Sequence, residues 1–260
     1  MAWPAGPIDA TDLDAGTDSP ATARTDLLAT TQAVNDIVAS RAAASGIPSL
    51  DANTRVPQTQ LPKMARVVDA TAGSGKTWTV PTGVTRVRVR VAGAGGGGGY
   101  TTPGTGGDHG GGGGAGAYAE KDCDTVPGDD FTYTVGAKGT GKDISSDGDG
   151  ADGGFSSVTS ASTFTPASYT VTADGGHGGQ GPPNRFGGGG GQATNGDLNL
   201  PGGAGQSGGT RGGVGGGNTL TGGSAGSTTY GGGGGFGSGD STPGFDGLAG
   251  VVIFEYWKQA

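Results

Sequence analysis

The sequence predicts a mostly β protein: a small sandwich-like unit carrying an inserted, polyglycine II-like lattice, preceded by an extended arm and a short coiled-coil helix. Three observations lead there. Residues 93 to 248 are built largely from glycine, in runs such as Gly95–Gly99, Gly110–Gly114, Gly187–Gly191 and Gly231–Gly235, and only six of the 63 glycines come earlier. Alternating hydrophobic segments stand at both ends of that region. A weak heptad pattern lies near the N-terminus.

Residues 1 to 19 are rich in Pro, Asp and Gly and read as an extended arm. Ser19-Pro20 then offers an N-cap and a proline at the first helical position. The spacing predicts a helix over 20–45, stopped by Gly46 and Pro48. Ala23, Leu27, Thr30, Val34, Ile37, Arg41 and Ala44 follow alternating steps of four and three residues, a heptad seam. Leu27, Val34 and Ile37 are its large apolar members and the candidate trimerisation contacts. Such a short helix cannot bury its stripe alone, so partner chains or the body of a larger particle are expected. Residues 46–66 contain three prolines and several turn residues and read as an extended connector, which leaves 67–260 as the glycine-rich β domain.

In that domain the period changes to two. Trp78 and Val80 lead into a turn at Pro81-Thr82-Gly83, and from Thr85 to Val91 valines alternate with Arg86, Arg88 and Arg90. An arginine stripe can bind phosphate. With a net charge of −8, the preferred reading is a solvated face or one lying along a neighbouring chain. Further strands are expected at Ala117–Cys123, Phe131–Val135, Ser156–Thr159, Ser168–Thr172 and Gly250–Trp257. The last is apolar on both faces and should be interior to a sheet. The glycine-rich region is thus pinned at both ends by strands able to pair.

Glycine has no side chain to bury and loses the most backbone entropy on ordering. Its runs can adopt polyproline II geometry, three residues per turn with every N–H and C=O pointing outward. Side-by-side rods can then bond laterally. A net gain of ~0.5–1.5 kcal/mol per hydrogen bond must offset ~1–2 kcal/mol per ordered residue, so only a many-stranded lattice with pinned ends suffices. Residues 202–210 fit a period of three, with Ala204, Ser207 and Thr210 on one edge, and a phase shift after Arg211 predicts short rods joined by turns.

The negative charge disfavours nucleic acid as a partner. Cys123 is the single cysteine, so no intrachain disulfide is expected, and no apolar stretch approaches the ~20 residues of a membrane span. The N-terminus lacks the pattern of a signal peptide, so synthesis in the cytoplasm as a soluble chain is expected. Ala70–Thr77 approaches a phosphate-binding loop, but Ala70 replaces the first glycine and Trp78-Thr79-Val80-Pro81 follows where a helix is needed. His109 and His177 have no nucleophile constellation beside them. Asp143, Asp147, Asp149 and Asp152 form an acidic loop. Asp147, Asp149 and Asp152 are weak metal candidates, because the spacing fits no EF-hand and a solvated turn is preferred. No cofactor and no catalytic residue is expected.

The connections between glycine runs hold the large and polar side chains. Candidate binding residues are Tyr100, Asn184, Arg185, Phe186, Asn195, Asp197, Asn199, Tyr230 and Phe236. Aromatic, asparagine and arginine side chains on a rigid frame suit a binding surface. Phe186, Tyr230 and Phe236 could equally cap the lattice. For the loop set as a whole, binding is preferred.

Several stretches resemble phage tail fibre proteins. They are the N-terminal Leu13–Leu28, the connector Leu50–Pro62, and the run from Thr77-Trp78-Thr79-Val80-Pro81 through Gly93–Gly99 to Asp246-Gly247-Leu248 and Tyr256. The lattice is also similar in packing style to the tip adhesin of some long-tailed phages. The resemblance implies a homotrimeric fibre or tail-tip receptor-binding protein of the virion tail, assembled in the host cytoplasm. It implies attachment to tail or baseplate proteins through the arm, including Trp3 and Pro4, and adhesion to a bacterial pilus, polysaccharide or outer-membrane protein. The alternatives are a purely structural glycine-rich virion or surface-layer protein without a ligand, and a polysaccharide depolymerase.

Overall fold

The computed structural model describes residues 28–36, 63–102, 109–209, 213, 215–217, 230–235 and 242–258. The chain divides into two compact units, 1–62 with residue 260, and 63–259. In the first, a helix (α1) spans 28–36, where Gln32 Nε2 donates to Asp36 Oδ1 at 3.0 Å. Val34 is exposed, and Leu27 and Ile37 lie outside the described residues, as do Trp3 and Pro4.

Among its described residues the second unit contains ten strands. They are β1 (Lys63–Asp69), β2 (Gly73–Thr79), β3 (Arg86–Ala92), β4 (Tyr118–Asp124), β5 (Asp130–Val135), β6 (Ser156–Thr159), β7 (Thr170–Ala173), β8 (Ala193–Thr194), β9 (Leu198–Leu200) and β10 (Val251–Lys258). Two antiparallel sheets result, ordered β1-β10-β3-β4-β9 and β2-β5-β6-β7-β8. The expected pairing of the first long strand with the last is present: Val89 lies opposite Phe254 and Val91 opposite Val252, and β10 is interior. Two expected boundaries move. Strand β1 begins at Lys63, inside the expected connector, because it pairs along its whole length with β10. The phosphate-loop look-alike becomes the β1–β2 turn and β2 itself, with Lys76 Nζ bonded to Asp69 at 2.8 Å.

The facing sheets bury Val87, Val89, Val91, Phe131, Val135, Val158, Val171, Val252 and Phe254. Trp78 stacks on Phe254 at 4.4 Å, and Phe131 lies 5.3 Å from the same ring. Cys123 is buried with these residues, and burial pushes its thiol up to about 11. On the outer face the arginines are not free cations. Arg88 pairs with Asp122 at 2.8 Å, and Arg90 with Glu120 at 3.1 Å and Glu255 at 3.2 Å. They form a cross-strand charge ladder on a face that stays partly exposed to solvent.

Among the described residues, glycine-rich rods run between the strands at 93–100, 109–117, 136–142, 148–154, 174–180, 186–192, 202–208, 215–217 with Gly213, 230–235 and 243–250. Rod 93–100 shows their bonding rule. Gly93, Gly96 and Gly99 donate to the carbonyls of Ala117, Gly114 and Gly111. Ala94, Gly97 and Tyr100 donate to Gly154, Ala151 and Gly148, and Gly95 and Gly98 to Leu248 and Phe245. All eight bonds are 2.8–3.0 Å. Each third residue addresses the same neighbour, as three residues per turn require. Carbonyls of this rod accept from Gly139 and Lys142, from Gly176 and Gly179, and from Gly234. Six rods therefore surround it. Rod 109–117 is likewise enclosed, donating to 174–180, 202–208 and 230–235 and accepting from 93–100, 186–192, Gly213 and Gly216.

Glycine is needed here for space. A Cβ on Gly96 would lie 2.2 Å from the His177 carbonyl oxygen, and one on Gly114 2.0 Å from that of Gly189. Of the rod glycines described, Gly231 alone has a left-handed φ. The lattice is thus sealed by close backbone approach and held by lateral hydrogen bonds, beside a conventional apolar core in the sheets.

Candidate functional site

The bonding register fixes the direction of each rod. Residue 93 donates to 117 and residue 99 to 111, so these rods are antiparallel, and consecutive rods alternate in the same way throughout. Rod 93–100 leaves β3, 136–142 leaves β5, and 174–180 leaves β7, whereas 109–117, 148–154 and 243–250 lead into β4, β6 and β10. One end of the lattice therefore abuts the sheets. The other is a tip, reached by residues 100–102, 109, 142–148, 180–187 and 208–209.

Backbone and side-chain bonds tie these tip segments together. Tyr100 pairs with Gly148, and Thr102 N donates to the Asp147 carboxylate. That bond draws the Asp147 carboxyl below the usual range. Gly208 N donates to Arg185 O at 2.7 Å, and Arg185 N to Gly181 O at 2.9 Å, with Arg185 at φ 53°. Asn184 and Phe186 are exposed here, Phe186 by 58%. Tyr100 is not: it is 1% exposed, because its backbone completes the bonding of rod 93–100 and its ring is enclosed. Ile144, 49% exposed on the same tip, escaped the sequence reading. Its signal was a single large apolar residue among Asp, Ser and Gly.

The other described candidates do not join this surface. Asn195, Asp197 and Asn199 belong to the β8–β9 hairpin at the sheet end, where each serves the turn. Asn195, at φ 63°, donates to Thr170 O at 2.9 Å. Asn199 exchanges bonds with the Gly196 backbone at 3.0 and 2.8 Å. Asp197 pairs with Lys121 at 2.6 Å and accepts from Asp122 N at 3.0 Å, and the Lys121 contact holds its carboxyl below the usual range. Tyr230 starts a rod at the sheet end, and Phe236 lies outside the described residues.

The acidic residues have a role the sequence did not disclose. Asp149 Oδ1 accepts from Gly181 N and Asp152 Oδ1 from Gly178 N, both at 2.7 Å. Acceptors and donors are each spaced by three. Asp246 does the same for Gly141 N at 2.8 Å, while its bond to Lys138 lowers its carboxyl. Where a rod lacks a neighbour, a carboxylate from the adjacent rod accepts the outward N–H. Among the described residues no three His, Cys, Asp or Glu side chains gather as a metal centre would need. Nor is any described helix long and apolar enough to cross a membrane.

This architecture defines a class of protein: a glycine-rich domain in which a β-sandwich anchors a backbone-bonded lattice. The family model for the glycine-rich domain matches residues 70–257, and the chain belongs to that family. No curated protein matches it.

Proposed function

We propose that this chain is a non-enzymatic bacteriophage tail fibre or tail-tip adhesin that attaches the virion to a bacterial surface receptor. The observation that supports it best is the polarity of the 63–259 unit. Lys63 lies opposite Lys258, and β10 runs from the lattice at Val251 to Lys258, so the chain enters at the edge of the sheets remote from the lattice. The tip segments with Asn184, Phe186 and Ile144 gather at the other extreme. The first 62 residues, with their likeness to fibre attachment and shaft segments, stand at the entry side of the sequence. They would bind tail or baseplate proteins and, through Leu27, Val34 and Ile37, form the homotrimer.

A rigid frame suits this task because loops held in one arrangement lose little entropy on binding. Three chains per fibre and several fibres per particle would raise a weak contact by avidity. The test is replacement of 181–186 and 143–147 together with Gly/Ser sequence of equal length, followed by adsorption to intact host cells. Loss of adsorption, with the protein still incorporated into particles, is the expected result. Unchanged adsorption would favour the purely structural reading.

A further inference from the structure

The flank of the lattice carries a feature separate from the tip. Where rods 148–154, 174–180 and 186–192 approach the sheets, a cavity of about 280 Å³ opens, lined by Asp152, Phe155, Asp174, His177, Gln192 and glycine backbone. Phe155 follows rod 148–154 immediately before β6, and its side chain is 52% exposed. Asp174 and His177 are one three-residue turn apart and share a face of their rod, since both donate their N–H to rod 186–192. Asp152 is held in place by Gly178 N at 2.7 Å and lies 3.3 Å from His177 Nδ1. Asp174 and Gln192 are both exposed in the cavity wall. The floor is main chain, because the lattice excludes side chains there.

We propose that this groove binds a neutral oligosaccharide of hexose or N-acetylhexosamine units. A sugar ring presents a flat C–H face and a rim of hydroxyls. The face suits the exposed Phe155 ring. The hydroxyls can donate to the carboxylates of Asp152 and Asp174, and the Gln192 amide can both donate and accept. The volume lies near the small end of ligand sites (~300 Å³), enough for one or two rings of a longer chain. Two carboxylates in the wall repel acidic sugars, so uronates are disfavoured. The inference goes beyond the adhesin reading and needs nothing from the tip: tip replacement could leave cell adsorption unchanged while this groove still bound sugar.

The test is titration of the full chain with three trisaccharides, of glucose, of N-acetylglucosamine and of galacturonate, followed by ligand-observed NMR. At least one neutral probe should bind, and galacturonate at least about tenfold more weakly. Phe155→Ala and Asp174→Asn should each lower affinity for that neutral probe about tenfold. Phe245→Ala, which removes an exposed ring elsewhere, should leave it unchanged. Amide-exchange protection of Gly176 and Gly179 reports that the lattice is intact in each variant. Absence of binding by both neutral probes, equal binding of galacturonate, or full affinity in Phe155→Ala or Asp174→Asn would overturn the assignment.

Discussion

Replacing Gly96 by alanine tests the lattice at its centre. The added Cβ would sit 2.2 Å from the His177 carbonyl oxygen and 2.8 Å from that of Gly176, where ordinary contact begins at 3.4 Å. Both obstacles are backbone of one rod, so rod 174–180 must retreat by about 1 Å. Its bonds to the two enclosed rods 93–100 and 109–117 include Gly114 N to His177 O, Gly176 N to Ala94 O and Gly179 N to Gly97 O, at 2.8, 2.9 and 2.8 Å. Breaking two or three of them leaves buried polar groups unpaired at ~1–3 kcal/mol each. The lower entropy of the unfolded alanine chain returns only ~0.4–1 kcal/mol. A net loss of roughly 3–5 kcal/mol follows, a large share of the ~5–15 kcal/mol that holds a typical domain together. Guanidinium unfolding followed by tryptophan fluorescence measures it, since half-buried Trp78 stacks on Phe254 of the core. Gly209→Ala is the control, because nothing lies within 4 Å of its Cβ position. It should be neutral or stabilising by up to ~1 kcal/mol. Stability of Gly96→Ala within about 1 kcal/mol of the parent would refute the claim that backbone approach, and not side-chain packing, closes this region.

Trp78→Ala removes a ring stacked at 4.4 Å on Phe254 and should cost about 3–5 kcal/mol in the same unfolding experiment. Arg90→Met strips Glu120 and the buried Glu255 of a partner, leaving Glu255 with Arg66 at 3.5 Å. A loss of roughly 2–3 kcal/mol is expected, and Glu255→Gln in the same chain should recover part of it. Acid should unfold the protein through its paired carboxylates. Asp122 is lowered by its bond to Arg88, Asp197 by Lys121 and Asp246 by Lys138. Their stabilisation is present above the ordinary aspartate range near 4 and is lost as pH falls through the lowered native values, so the unfolding midpoint should drop below about pH 4 and be level at neutral pH. Asn195→Ala, which removes a turn-holding bond and a residue tolerant of positive φ, should cost about 1–2 kcal/mol and leave cell adsorption unchanged.

Much of the sheet was legible because its signal is local. Alternation marked β3, a two-faced apolar run marked β10, and Ser156–Thr159 matched β6 at both ends. Strand β1 was not legible: Lys63-Met64-Ala65-Arg66 lacks alternation and becomes a strand by pairing with β10. The short β8 and β9 escaped for the same reason, as their residues read as a loop. Three of the candidate binding residues lie at the sheet end, away from the tip, because Asn and Asp serve two purposes. Asn195, Asp197 and Asn199 have the composition of a contact surface, yet the same side chains are what a tight hairpin needs. Tyr100 looked like a loop residue from its neighbours Thr101-Thr102-Pro103, whereas its rod continues through it.

The sequence by itself determined that glycine runs must pack main chain against main chain and that flanking strands must pin them, because residues without side chains have no other way to exclude water. It also determined the threefold spacing, which is a property of the single rod. Only the tertiary structure decided which rod lies beside which, and therefore which loops reach the tip, which return to the sheets, and which aspartates complete the outermost amides. Glycine carries no side chain to encode a neighbour. The choice of partner rests on where the strands deliver each rod and on the few Asp, Ser and Tyr side chains at the edges, and those positions are set by contacts far apart in the chain.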